Sequence, residues 1–471
     1  MHEVDLPPDE YEARPRDIPP VFLSALAVMP LAFGVILTIA FPWDFVNSIN
    51  GRVFQESSGF QRIIWDLFAV FSCLMLLRLF TIHCLAFRAE LSNSKSRPHD
   101  HSAWPSVSIL VPAYQETENI ESTLRSLAEL DYPQYEIIVV DDGSSDATFE
   151  KARRFSEETA GATVSVFRKP NGGKWSALNL AFKQSKNELI LCVDADSHLS
   201  RNALRLLVPH MKDLRTAAVC GQVTVRNRVN MITNLQALEY LVANGGLRTA
   251  QSHFGSVLVV PGPIGLYRRS NLEQIALLFG NSAKHINPGH IAGPWSDESF
   301  AEDFQLSLTT LALNGRIIYE PRAVAYTRAP ENTMSLINQR YRWVRGGMQV
   351  INVYNTRLRP LCSAADRTKL DANLIWSYIA EIYVTPLINF GVLFTCLFLI
   401  ASGGSFGHAF AWYLAIVLLN LMTTTFYILS QGDELPLLAN VIAVDLYQSL
   451  LINSAWVAAI ADQLRKSRMR W

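Results

Sequence analysis

The sequence has few cysteines and almost no net charge. Its six cysteines (Cys73, Cys84, Cys192, Cys220, Cys362 and Cys396) include no Cys-x-x-Cys spacing and have no histidine at ligand spacing. This argues against a disulfide framework and a zinc knuckle, and the residues read as free thiols in a reducing compartment. Lysine and arginine number 41 against 42 aspartates and glutamates, a net charge of −1. No bulk basic field is therefore available to attract nucleic acid. A basic leader is missing too. Residues 1–17 carry Glu3, Asp5, Asp9, Glu10, Glu12 and Asp17 against only Arg14 and Arg16. That is the reverse of a signal peptide, and the segment reads as a short disordered acidic tail. Finally, there is no P-loop. Pro170-Asn171-Gly172-Gly173-Lys174 lacks the first glycine at the required spacing, and Trp175 stands where Ser or Thr would be. This argues against a Walker-type NTPase.

What the chain does contain is clustered apolar length. At 471 residues it has room for about three domain-sized units. Val21 to Trp43 carries no charge, and Ile63 to Phe87 carries only Asp66 and Arg78. Both are long enough to cross roughly 30 Å of hydrocarbon. They read as a helical hairpin in which Asp66 reaches the headgroups and Arg78 faces protein or snorkels. Arg88, Lys95 and Arg97 follow closely, so the middle of the chain is expected on the cytoplasmic side. Three more apolar stretches come later: Leu374–Gly404, Phe410–Leu429 and Leu437–Leu464. Two crossings before the middle and three after would leave the end outside, yet Arg465, Lys466, Arg468 and Arg470 favour the cytoplasm. One stretch then does not cross fully. The last contains Asp445, Gln448, Asn453 and Asp462, and the first contains Glu381 and Pro386. The expected organisation is a tail (1–17), a transmembrane hairpin (18–98), a cytosolic domain (99–330), interfacial amphipathic helices (331–373) and a C-terminal transmembrane or channel region (374–471).

From Pro105 to about Pro330 the periodicity alternates. Val107–Val111, Tyr135–Val140, Thr163–Phe167 and Leu189–Val193 read as strands. Ile120–Leu130, Ala147–Thr159 and Trp175–Gln184 read as helices. Such alternation predicts an α/β, mostly parallel, doubly wound sheet. Ligands of such sheets bind beyond the carboxyl ends of the strands. Asp141-Asp142-Gly143 and Asp194-Ala195-Asp196 both stand at strand C-terminal ends. The first is equally compatible with ordinary turn chemistry. In the second, two carboxylates on one side of an extended tripeptide can share Mg2+ or Mn2+, ions that few carboxylates plus phosphates usually hold. Asn171–Lys174 can cradle a phosphate at a helix N-terminus, or simply turn the chain. Glu302-Asp303 opens a predicted helix, where an acid can accept a proton from an attacking hydroxyl or simply stabilise the helix dipole. Gln339-Arg340-Tyr341-Arg342-Trp343 packs two fixed cations, an amide and a large aromatic into under two turns of a predicted helix, Thr333 to Val350. Cations suit a diphosphate and an aromatic plate suits a sugar ring. An amphipathic helix at a membrane surface has the same composition.

Taken in order, these motifs resemble the processive family 2 glycosyltransferases, which include hyaluronan, chitin, cellulose and poly-N-acetylglucosamine synthases. The resemblance runs from about Val107 to Met348. Asp141-Asp142-Gly143-Ser144 matches the acidic nucleotide-binding loop, Asn171–Lys174 the Asn-Gly-Gly-Lys segment, and Asp194 and Asp196 the DxD motif. Ala301-Glu302-Asp303 matches Thr-Glu-Asp with alanine for threonine, and Gln339, Arg342 and Trp343 match Gln-x-x-Arg-Trp. Tyr319-Glu320-Pro321-Arg322-Ala323 and Gly346-Gly347 look most like the bacterial poly-β-1,6-N-acetylglucosamine synthases. The resemblance implies a GT-A-type nucleotide-sugar-binding domain inserted between transmembrane helices of a bacterial inner membrane, catalytic domain in the cytosol. It implies an inverting, processive enzyme that uses a UDP-sugar, Mg2+ or Mn2+ and a growing polysaccharide acceptor. UDP-N-acetylglucosamine is the expected donor, and a small membrane accessory subunit is compatible. In that scheme Asp303 is the base and Asp196 holds the metal. Asp141, Asp142, Lys174, Asp194, Gln339, Arg340 and Arg342 bind the donor, and Trp343 stacks on the acceptor. Alternatives are a non-processive glycolipid-forming transferase, a synthase of another polysaccharide (chitooligosaccharide, hyaluronan or a glucan), and a UDP-sugar-sensing pseudoenzyme or export subunit.

Overall fold

The computed structural model describes residues 28–30, 32–33, 77–78, 80–88, 104–159, 163–279, 291–391, 406–431 and 435–467. The acidic tail, most of Val21–Trp43 and the larger part of Ile63–Phe87 lie outside the described residues, as does the second half of Leu374–Gly404.

Eight strands form one sheet: β1 (Val107–Ala113), β2 (Tyr135–Asp141), β3 (Thr163–Arg168), β4 (Leu189–Cys192), β5 (His198–Leu199), β6 (Thr216–Val225), β7 (Gly265–Arg268) and β8 (Arg316–Thr327). Their spatial order is β3-β2-β1-β4-β7-β6-β8-β5. The period of two along each strand sorts its side chains between two cores. On β1, Val107, Ile109 and Val111 enter one core and Leu110 the other. On β2, Ile137 and Val139 part from Ile138 and Val140 in the same way. A sheet covered on both faces needs near-continuous apolar strands, and this is the pattern that the sequence offers. Helix Ile120–Ala128 closes the first face with Ile120, Leu124 and Leu127. Helix Lys174–Gln184 closes the second with Ala177, Leu178, Ala181 and Phe182.

The expected strands and helices of the first half are present with ends shifted by one or two residues. The doubly wound parallel sheet needs correction in its second half. β3, β2, β1 and β4 run parallel, but β7 is antiparallel to both β4 and β6, and β5 is antiparallel to β8, so the sheet is mixed. The physical consequence lies at the carboxyl edge. Because β7 runs backwards, Gly265 at its start pairs with Cys192 at the end of β4. The loop entering β7 therefore arrives where the parallel strands finish. The sequence concealed this strand because it is four residues long and follows Pro261-Gly262-Pro263, a breaker signal.

Helix Thr333–Val353 packs along helix Asn453–Leu464. Among the described residues one helical segment, Leu435–Leu464, is long and apolar enough to cross a membrane, and Leu414–Ser430 is a shorter apolar helix. Arg78 faces protein: it is buried, forms an ion pair with Glu381 at 2.7 Å and donates to the carbonyl of Trp376 at 2.6 Å. The two acids of the last segment also have partners. Asp445 accepts from Asn420 at 3.1 Å, and Asp462 accepts from Tyr341 at 2.7 Å.

Candidate active site

The carboxyl ends of β1 and β4, strand β7 and the loop before it border one cavity. Pro112, Lys174, Asp194, Gly262, Tyr267, Trp295, Glu302 and Asp303 are among the residues lining it. Lys174 joins two of its acids. Its ammonium is 2.6 Å from Asp194 and 3.4 Å from Glu302. Burial works against the charge, but Asp194 and Glu302 outweigh it and raise the lysine's pKa, so it stays protonated. Asp194, Lys174 and Glu302 thus form one charged chain across three elements that are far apart in sequence.

Asp303 is in the first turn of helix Glu302–Ala312 and accepts a hydrogen bond from the N–H of Phe304 at 2.7 Å. Burial, and then the neighbouring Glu302, push its carboxyl up to about 7, against the pull of Lys174. An acid poised near neutrality in a cleft has the character required of a general base. Of the two acids, Glu302 is the one that pairs with Lys174 at 3.4 Å.

Asp196 accepts from Ser197 at 2.9 Å and from Thr327 at 3.3 Å. Burial and the Asp194 charge raise its pKa. Hard oxygen donors that repel one another are the chemistry a divalent cation relieves. Among the described residues no group of three or more His, Cys, Asp or Glu is arranged to hold an ion alone. Sequence reasoning missed a third acid here. Glu116 follows β1 after Gln115, which turns the chain at a positive φ of 59°. Its pKa is raised chiefly by burial, with Asp196 and Asp194 adding to the effect. The detectable signal was an acid three residues beyond a strand end.

The two glycine-containing motifs meet each other. A Cβ on Gly143 (φ +77°) would lie 2.7 Å from the N atom of Asn171. Asp142 is buried, pairs with Lys169 and accepts from the N–H groups of Gly172 (3.0 Å) and Gly173 (2.7 Å). This corrects the phosphate-cradle reading of Asn171–Lys174: a carboxylate has already taken those two N–H groups, and Lys174 alone of the motif reaches the cavity lining. Asp141 is likewise buried, pairs with Arg168 at 3.1 Å and accepts from the N–H of Ser144. Both acids hold the loop together from beneath.

Helix Thr333–Val353 reaches the site through small residues. A Cβ on Gly346 would lie 3.0 Å from Ala301, and one on Gly347 would overlap the Tyr378 hydroxyl. Gln349 also accepts from the N–H of Phe300 at 3.0 Å. The alanine replacing threonine at position 301 therefore receives the helix. Arg342 and Trp343 are exposed and Gln339 is half-buried. Arg340 departs from its expected place on the diphosphate. It is buried and bound by Glu239 at 2.8 Å, because an acid outside every recognised motif compensates its charge.

Gly262 is a second residue that the sequence did not reveal. A Cβ there would be 2.7 Å from the Lys174 ammonium and 2.8 Å from Asp194. The loop backbone therefore lies directly against the ion pair.

Residues 108–276 match the profile of Glycosyl transferase family 2. The chain is 29% identical over 299 residues to the poly-beta-1,6-N-acetyl-D-glucosamine synthase of Staphylococcus epidermidis, a stretch covering 61% of this chain and 66% of that one. It is 29% identical over 284 residues to the synthase of the same name from Staphylococcus aureus strain COL, covering 59% and 64%. The aligned stretch thus spans just under two thirds of these relatives' length. Among solved structures, a mannosyltransferase from Pyrobaculum calidifontis in complex with GDP-Man and Mn2+ matches with a TM-score of 0.57 at 20% identity, covering 85% of this chain and 100% of that one. That likeness establishes a GT-A-like fold. Residues 108–276 are therefore similar to a family 2 glycosyltransferase domain.

Proposed function

We propose that the protein is an inverting, processive membrane glycosyltransferase. It polymerises a β-linked polysaccharide from a UDP-sugar and extrudes it across a bacterial inner membrane from a cytosolic catalytic domain. UDP-N-acetylglucosamine is the donor and poly-β-1,6-N-acetylglucosamine the product. The donor and product rest on the names of the Staphylococcus relatives. The membrane reading rests on the apolar segment Leu435–Leu464 and the pairing of buried Arg78 with Glu381.

The observation that carries the activity is the convergence of Asp303, Lys174 and Asp194 on one cavity at the sheet's carboxyl edge. In this reading the loop held by Asp141 and Asp142 receives the nucleoside, and Lys174 and Asp194 flank the diphosphate. Asp196, with Asp194, would hold Mg2+ or Mn2+, which when bound would supply positive charge beside the diphosphate. Asp303 takes the proton of the acceptor hydroxyl as that oxygen attacks the anomeric carbon. The bond to UDP breaks on the opposite side in one inverting displacement. A second glycosidase-type carboxylate is not needed for this. Arg342 meets the charge that develops on the leaving group, and Trp343 stacks on the acceptor sugar.

The test is to supply membranes with a panel of labelled UDP-sugars and metal, then digest the product with linkage-specific glycosidases. A long polymer cut by a β-1,6-specific enzyme is expected. A product one sugar long that extracts into organic solvent would overturn processivity. No turnover of any UDP-sugar would overturn the enzymatic reading.

A further inference from the structure

Arg340 is the largest fully buried side chain among the described residues. Its Nη1 donates to the Gln339 side-chain oxygen at 2.6 Å and its Nη2 to Glu239 at 2.8 Å. The guanidinium carbon is 4.2 Å from the Trp343 ring centre and 5.7 Å from that of Tyr240. The two rings are 6.4 Å apart and inclined by 30°. The Glu239 oxygen that binds Arg340 also accepts from the Tyr447 hydroxyl at 2.7 Å. Three helical segments thus meet at one carboxylate: the continuation of Met231–Leu238, the helix Thr333–Val353, and Val441–Tyr447. Leu235, Leu336 and Ile452 pack around Tyr447 and close the surroundings.

The physical argument turns on the cost of an isolated buried cation. Without Glu239 the guanidinium would leave this site for water. With Glu239 it is fixed edge and face, and a fixed planar cation holds the indole beside it. Trp343 is 46% exposed, so the indole is fixed on its protein side and open on the other. Burial opposes the Arg340 charge, but Glu239 more than offsets this and keeps it protonated. The pairing therefore persists across the physiological range. Tyr447 extends the same hydrogen-bonded chain into the apolar segment Leu435–Leu464.

We infer that Glu239 is the positioning residue of the acceptor platform: it holds Arg340 against Trp343 and, through Tyr447, ties that platform to the apolar C-terminal segment. This rests on the reading of Trp343 as the acceptor-stacking residue.

The experiment uses the full chain in lipid nanodiscs, with Glu239→Gln, Tyr447→Phe, Trp343→Ala and the double variant Glu239→Gln/Trp343→Ala. UDP affinity is measured by calorimetry. The KM for a β-1,6-linked N-acetylglucosamine oligosaccharide and the product length are measured separately. Glu239→Gln is expected to raise acceptor KM about tenfold, as loss of a desolvated cation–π contact and its anchor would, with UDP affinity unchanged. Adding it to Trp343→Ala should cost little more, because both act on one platform. Tyr447→Phe should shorten the product with UDP affinity retained. The inference is overturned if Glu239→Gln weakens UDP binding and leaves acceptor KM alone, which would make Arg340 a donor residue. Reduced active protein at unchanged KM for both substrates overturns it too, since that is a purely structural role. Wild-type protein that binds UDP but transfers no sugar to the oligosaccharide would instead overturn the functional reading beneath it.

Discussion

Replacing Asp303 by asparagine keeps the volume of the side chain and its hydrogen bond from Phe304 while removing the proton acceptor. A positioned general base contributes about 10²–10⁴ in rate, so Asp303→Asn should lower kcat by about that factor. The structure adds a second, independent number. Burial and Glu302 hold the wild-type carboxyl near 7 instead of its ordinary 3.8. The base works only when ionised. Wild-type activity should therefore rise with pH through about 7 and fall roughly tenfold between pH 8 and pH 6. An acid at its ordinary value would give a flat profile over that range. Initial rates of polymer synthesis across pH 5–9, with UDP affinity measured in parallel, separate chemistry from binding. Two results would refute the reasoning. One is Asp303→Asn retaining synthesis. The other is a wild-type profile flat from pH 8 to pH 6, which would remove Asp303 as the titrating base.

The other predictions concern the loop, the metal and the helix contact. Asp142→Asn leaves Lys169 buried without its counter-charge, so it should cost about 3–5 kcal/mol of stability, seen as a lowered thermal midpoint of the detergent-solubilised chain; an unshifted midpoint would mean the pair is not a structural support. Chelation should halt turnover, and Asp196→Ala should raise the Mn2+ concentration needed for half-maximal activity; an unchanged metal titration would dismiss Asp196 as a ligand. Gly347→Ala forces a methyl into the Tyr378 hydroxyl, so overpacking should destabilise by about 1–3 kcal/mol, and a midpoint equal to wild type would contradict the close approach.

Much of this site can be read along the chain because its parts are local. A strand that ends in acids announces its carboxyl edge, so Asp141-Asp142 and Asp194-Ala195-Asp196 were recognisable from buried runs followed by carboxylates. The first four parallel strands and their helices followed from period-2 and period-3.6 patterning. Glu302-Asp303 at a helix start was legible by the same logic, though its choice between chemistry and helix-dipole stabilisation was not. Those features depend on residues within a few positions of one another, and the sequence by itself determined them.

Only tertiary structure decided the rest, because it depends on which side chain meets a distant one. β7 had to run antiparallel before Gly262 could lie against Lys174 and Asp194. The N–H groups of Gly172 and Gly173 looked available to a phosphate until Asp142, from another loop, took them. Arg340 and Arg342 look equivalent in Gln339–Trp343. They differ because burying a cation requires a counter-charge, and Glu239, about a hundred residues earlier, supplies one to Arg340.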